Sequence, residues 1–186
     1  MNACVLTIGD ELLQGFTTDT NSAWLGVTLR PYGVTIDKKI TIGDKIDDII
    51  SEAEKILNEN YDLFFVTGGL GPTHDDVTKA AFKKLLNLKL VFDKLYYKKL
   101  TEKYIKKSIN ISKINRSQAM IFENSNIIPN KYGTALGIHY CYNQTQLIIL
   151  PGVPNEMKYM VQNYVIPKLI NKEHSNDIIT IKTAGV

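Results

Sequence analysis

The chain has 186 residues, enough for one compact domain with its own apolar core and no need of disulfide or metal staples. With 44% hydrophobic and 22% charged residues it has the balance of a globular protein, and no run approaches the ~18 apolar residues of a membrane span. The net charge of +3 is unevenly spread: Lys83 to Lys113 holds ten lysines against Asp93 and Glu102, a net of +8, leaving −5 for the remainder. That stretch has no arginine, and its Tyr96, Tyr97 and Tyr104 fall at core-like helical offsets, so a solvated lysine face is favoured over nucleic-acid binding. Cys4 and Cys141 each sit in an apolar run without metal or redox spacing, the pattern of reduced, buried thiols in a cytoplasmic protein. No basic segment followed by a cleavable apolar stretch opens the sequence.

In chain order, strands alternate with helices. Ala3 to Ile8 reads as a strand, followed by a loop over residues 9–15. Asp19 or Thr20 can cap a helix from about Asn21 to Leu29, which Pro31 and Gly33 end. Val34, Ile36, Ile40 and Ile42 alternate through a second strand, with Lys38 on the same face. Asp44 then stands where a cap is wanted for a long amphipathic helix carrying Ile46, Ile49, Ile50, Ala53, Ile56 and Leu57. Leu63 to Val66 is a short buried strand, and Val77 to Leu86 is helical. A lysine-rich helical insertion is expected at about 87–120, with helices near 95–107 and 112–120. Leu136 to Tyr142 and Leu147 to Leu150 are strands around the turn Asn143-Gln144, Pro154 opens a helix to about Ile170, and Asp177 to Thr183 closes with a strand. The alternation predicts a single α/β domain over residues 1–186, with a mostly parallel sheet and helices on both faces.

The stretch Gly68-Gly69-Leu70-Gly71-Pro72-Thr73-His74-Asp75-Asp76 lies between the third strand and its helix. Glycines let a backbone approach a phosphate, and a helix start offers unpaired N–H groups. Two carboxylates at the same turn repel that phosphate unless a cation such as Mg²⁺ lies between them. The plainer reading is that the glycines turn a strand into a helix and Asp75 or Asp76 caps it. The stretch matches neither the P-loop pattern nor the dinucleotide-binding one. Two further strand-to-helix loops carry glycine, after Ile8 and after Leu150. In open α/β sheets such loops share the carboxyl edge where ligands bind, which points to a phosphorylated, nucleotide-like small molecule.

Gly9 to Gly15, Asp19-Thr20-Asn21, Thr67 to Thr78, Asn130 to Gly137 and Leu150 to Met157 together resemble, in order and over nearly the whole chain, the motifs of CinA-type competence/damage-inducible proteins. The resemblance is to the N-terminal domain of that family, itself similar to the molybdopterin-binding domain of molybdenum-cofactor enzymes. It implies a three-layer α/β/α fold, self-association with a dimer favoured, and metal-dependent hydrolysis of ADP-ribose to AMP and ribose 5-phosphate. The implied cation is Mg²⁺ or Co²⁺, with K⁺ as a further candidate. The carboxylates of the molybdopterin relatives fall on Asp44 and Asp76. Many members continue into a second domain that deamidates nicotinamide mononucleotide, an activity not expected of these 186 residues. Leu136 stands where the common loop has proline.

The roles then divide as follows. Backbone N–H groups of Gly68, Gly69 and Gly71 cradle one phosphate, and those near Gly152 and Pro154 take another. Asp75 and Asp76 hold the metal, while Asp44 or Glu11 orients or deprotonates water. Thr73, Asn21, Gly133 and Thr134 complete the nucleotide contacts. Against these stand simpler roles: Glu11 as a solvated loop charge, Asp44 as an N-cap, Asn21 as a helix start, His74 as a loop histidine. Two other functions compete, molybdopterin binding or adenylylation and a non-catalytic regulatory module. Leu95, Tyr96, Leu100, Tyr104 and Ile111 are expected at a homodimer interface.

Overall fold

The run Leu63-Phe64-Phe65-Val66 is covered on both faces, and that fact sets the layers. In the computed structural model, which describes residues 1–70, 77–106 and 116–170, it forms β3 (Leu63–Thr67), flanked by β1 (Asn2–Ile8) and β8 (Thr145–Leu150), both parallel to it. Because side chains alternate, Cys4, Leu6, Phe64, Val66, Leu147 and Ile149 face one way. Ala3, Val5, Leu63, Phe65, Ile148 and Leu150 face the other. Each fully buried Phe or Leu contributes about 2–3 kcal/mol, so neither face can be left wet.

The first face packs against α3 (Ile46–Asn58) through Ile49, Ala53 and Ile56, and α4 (Val77–Leu85) adds Ala81 and Phe82. The second packs against α2 (Thr20–Leu29) through Leu25 and Leu29, and against α6 (Pro154–Met160) through Met157 and Met160. Beyond α6 the helix widens into a π-turn over Val161–Val165 and resumes as α7 (Ile166–Leu169). Pro167 lacks an N–H, and its ring would press on the carbonyl four residues back, which the wider turn relieves. Helices thus cover both faces of the sheet, as expected.

The sheet also contains β2 (Thr35–Ile42), β7 (Gly137–Tyr142) and β6 (Asn126–Ile128), in the order β2-β1-β3-β8-β7-β6. The last two pairings are antiparallel. Asn143, at φ 51, makes the β7–β8 hairpin turn.

The insertion holds the helix expected near 95–107 but adds two strands that were not expected. Leu90–Phe92 (β4) and Met120–Phe122 (β5) pair as a small antiparallel sheet on either side of α5 (Lys94–Lys106). Met120 therefore opens a strand, preceded by a 3₁₀ turn over Ser117–Ala119. Strands of three residues are too short to show a period of two in the sequence. Cys4 is buried, which pushes its thiol up to about 12, but Cys141 is exposed near the β7 end, contrary to expectation. The expected strand at 177–183 lies outside the described residues. Among those residues no helix is long and apolar enough to cross a membrane.

Candidate functional site

β1, β3 and β8 are parallel, so Ile8, Thr67 and Leu150 end on one edge of the sheet. From β1 the chain moves outward to β2, and from β3 it moves the other way to β8, which makes the β1–β3 junction a topological switch point. A cavity of about 410 Å³ opens there. Thr7 and Gly9, Glu11, the start of α2, Asp44, Thr67 to Leu70, and Gly152 to Pro154 line it. The edge inferred from the glycine loops is the edge that carries the hollow.

Side chains at its floor are locked in place. Asp19 caps α2: one carboxylate oxygen accepts from the Ser22 N–H at 3.0 Å and the other from the Thr7 hydroxyl at 2.9 Å. Burial pushes the Asp19 carboxyl upward, but the Ser22, Thr7 and Asn21 hydrogen bonds outweigh it and hold the group below the usual carboxylate range. Asn21, only 6% exposed, donates its amide N–H to the Gly152 carbonyl at 2.8 Å, joining the α2 start to the loop after β8. Its Oδ1, and the hydroxyl of the fully buried Thr67, have no hydrogen-bond partner among the described residues.

Asp44 does not sit at the N-cap of α3. Lys45 holds that position, without a side-chain cap. The Asp44 carboxylate instead accepts from the Asp10 N–H at 3.4 Å, and Asp10 Oδ1 accepts from the Asp44 N–H at 3.2 Å. This reciprocal pair ties the loop after β2 to α1 (Asp10–Leu13), a single helical turn in what the sequence shows only as loop. Glu11 follows in the same turn and is exposed on the cavity rim.

The two described glycines of the β3–α4 turn answer to backbone demands. Gly68 has φ 103 and lies so close to the Ile8 carbonyl that no Cβ fits; its N–H donates to the Leu150 carbonyl at 3.2 Å. That N–H is taken by the fold, which corrects its expected place in a phosphate cradle. Gly69 has φ 64, and a Cβ there would collide with the Thr78 hydroxyl, which donates to the Gly68 carbonyl at 3.0 Å.

Of the predicted residues, Glu11, Asn21, Asp44, Gly68, Gly69, Gly152 and Pro154 line one cavity. Gly133 and Thr134 are placed elsewhere. Gly133 lines a second hollow, of about 360 Å³, beside α5. Thr134 is engaged through its carbonyl by the Tyr96 hydroxyl at 3.1 Å and through its own hydroxyl by the Gln118 amide at 3.1 Å. Gly71, Thr73, His74, Asp75 and Asp76 lie outside the described residues. Among those described, no group of three or more His, Cys, Asp or Glu is placed to hold a metal ion. The sequence reading missed Thr7 and Thr67 as lining residues. Their signal was a lone polar residue at the carboxyl end of an apolar strand, in register with each other.

A mostly parallel sheet covered by helices, with its hollow at the switch point, is the molybdopterin-binding type of α/β fold. Residues 4–171 match the family described as "probable molybdopterin binding domain". The molybdopterin biosynthesis enzyme MoaB of Thermus thermophilus superposes with a TM-score of 0.62 at 20% identity, over 90% of this chain and 91% of that one, a likeness of fold alone. The CinA protein of Thermoplasma acidophilum superposes with a TM-score of 0.81 at 33% identity, covering 91% of this chain and 98% of that one. A CinA-like protein of Flavobacterium psychrophilum is 38% identical over 191 residues, 100% of this chain and 45% of the relative. The chain belongs to the CinA family, as its molybdopterin-binding-type domain, and spans just under half the length of that curated relative.

Proposed function

We propose that this domain binds a nucleoside diphosphate sugar together with a divalent cation and hydrolyses it, ADP-ribose giving AMP and ribose 5-phosphate. The observation that carries the reading is the charge of the cavity: Glu11, Asp19 and Asp44 line it, and among the described residues no lysine or arginine does. A phosphorylated ligand meets repulsion there unless a cation accompanies it. Mg²⁺ fits that setting, since it takes one or two carboxylates plus phosphate oxygens and needs no all-protein cage. Asp44 and Glu11 are the described carboxylates that would hold it, with Asp75 and Asp76 as the further anchors expected from the sequence. When bound, such a cation polarises a phosphoryl oxygen and lowers the pKa of water.

The chain's own groups do the rest. Whichever of Asp44 and Glu11 is not engaged by the cation takes a proton from the attacking water. The Asp10–Asp44 pair orients the Asp44 carboxylate, and the Asn21 bond to Gly152 holds the loop after β8 against the start of α2. The test is AMP release from a panel of nucleoside diphosphate sugars, including ADP-ribose, with Mg²⁺, Co²⁺ or K⁺. Release that stops with a chelator is expected. The family match favours a second reading, pterin binding or adenylylation. No AMP with any metal, together with saturable quenching of a pterin's fluorescence, would overturn hydrolysis in favour of that reading.

A further inference from the structure

The second hollow, beside α5, has a volume of about 360 Å³, within the roughly 300–1,000 Å³ of small-molecule sites. Tyr96, Leu100, Ile127 and Pro129 give it an apolar wall. Its polar groups are almost all spent inside the protein. The Asn130 amide oxygen accepts from the Tyr132 and Gly133 N–H groups at 3.0 and 2.9 Å. The Asn130 amide nitrogen donates to the Ala135 carbonyl at 2.8 Å and to the Glu156 carboxylate. Lys103 donates to the Lys131 and Gly133 carbonyls at 3.1 and 2.6 Å. The Tyr96 hydroxyl is on the Thr134 carbonyl, and Asp93 accepts from the Tyr96 N–H at 2.6 Å as the cap of α5. Lys99 is the exception: it lines the hollow and makes no hydrogen bond or ion pair among the described residues.

Those pairings select what enters. A sugar or an amide brings donors and acceptors that would lose their water against this wall and gain no partner. An apolar body loses nothing and gains by leaving water. Lys99 adds one requirement, a negative charge. It stands one helical turn before Lys103 on the same side of α5, so positive charge gathers at that end of the hollow. Asp93, the one carboxylate among the described lining residues, is six residues back from Lys99, about 9 Å along the helix axis. We propose that this hollow binds an organic anion with an apolar tail, its carboxylate or phosphate head at Lys99 and its tail along Leu100, Ile127 and Pro129. The site is separate from the carboxylate-lined cavity at the switch point, and it stands whether or not that cavity hydrolyses a sugar nucleotide.

The experiment is calorimetric titration of the intact chain with octanoate, octyl phosphate and 1-octanol, below micelle-forming concentrations, with amide NMR shifts to place the contact. One saturable site is expected for at least one of the two anions, with shifts confined to α5 and residues 127–134. The neutral 1-octanol should bind about 3- to 5-fold more weakly, the worth of one partly exposed ion pair. Lys99→Met keeps an apolar stem but no charge, so it should bring the anion down to the level of 1-octanol while 1-octanol itself binds as before. That unchanged 1-octanol affinity shows that the variant is folded. Lys94→Met, on the same helix but outside the hollow, should alter neither ligand and controls for the lost net charge. The proposal is overturned if neither anion saturates, or if wild type binds anion and alcohol equally. Undiminished anion binding in Lys99→Met, or shifts centred on Thr7, Gly69 and Gly152, overturns it too.

Discussion

Replacing Gly69 by alanine probes the turn that borders the cavity, and the structure gives the size of the effect. At φ 64 an alanine sits in the left-handed region, at about 1–2 kcal/mol. Its Cβ would also occupy the space of the Thr78 hydroxyl, with Thr78 Cβ and Val77 Cγ2 next at 3.2 Å. The hydroxyl must swing away, and the Gly68 carbonyl then loses its buried donor, a further ~1–2 kcal/mol. A total near 3 kcal/mol lowers Tm by about 6–12 °C for a domain of this size. Thermal and urea unfolding of Gly69→Ala against wild type measures it, with an unchanged m-value showing that the effect lies in the native state. The same substitution in a Thr78→Ala background meets no hydroxyl and should cost only the left-handed strain, so the cycle should show a coupling of about 1–2 kcal/mol. Equal costs in the two backgrounds would refute the proposed collision, and a drop under about 2 °C would refute the strain as well.

Asp44→Asn keeps an acceptor for the Asp10 N–H but removes the charge, so Tm should hold while turnover of ADP-ribose falls by roughly 10²–10⁴; full activity would take Asp44 out of the reaction. Asp76→Asn should abolish metal-dependent turnover with the fold intact, and retained activity with Mg²⁺ would remove Asp76 as an anchor. Asp19→Ala loses the α2 cap and leaves the Thr7 hydroxyl unpaired, about 2–4 kcal/mol at pH 7. Because folding lowers the Asp19 pKa, that stabilisation is present above the unfolded value of about 3.9 and lost as pH falls through the folded one. The stability gap between wild type and Asp19→Ala should therefore close only below about pH 4, and a gap that closes between pH 5 and 7 would exclude this origin. For assembly, Leu100 is 3% exposed and Tyr96 is bonded to Thr134, so the chain itself covers them and they leave the expected interface. Of the expected set Leu95, 76% exposed, and Tyr104, half-buried, remain, with Ile105, 67% exposed, beside them, while Ile111 lies outside the described residues. A dimer that Leu95→Asp dissociates is expected by light scattering, and a monomeric wild type at micromolar concentration rules it out.

Much of the sheet was written in local pattern. The run Leu63 to Val66 is apolar without alternation, which a strand needs only when helices cover both of its faces. Ile46 to Leu57 carries its apolar residues on one helical stripe, and Asp19, Asn143 and Pro154 mark a cap, a turn and a helix start through their own backbone chemistry. These are preferences of residues close in sequence, so they are legible without coordinates. The glycine loops even located the edge that carries the hollow, because parallel strands end on the same side.

What the tertiary structure decided was which groups meet. Asp44 looked like a cap, yet its carboxylate turns to Asp10, 34 residues away, and the α3 cap position falls to Lys45. Gly68 looked like a phosphate donor, yet its N–H belongs to the Leu150 carbonyl, because β3 and β8 are neighbours across a long crossover. Gly133 and Thr134 resembled contacts of the same site and lie instead beside α5. Thr7 carries no motif of its own, and only its strand register with Thr67 brings it to the cavity. Sequence fixes each residue's local preference, but a hydrogen bond between distant residues depends on sheet order and crossover direction, which no short window of sequence contains.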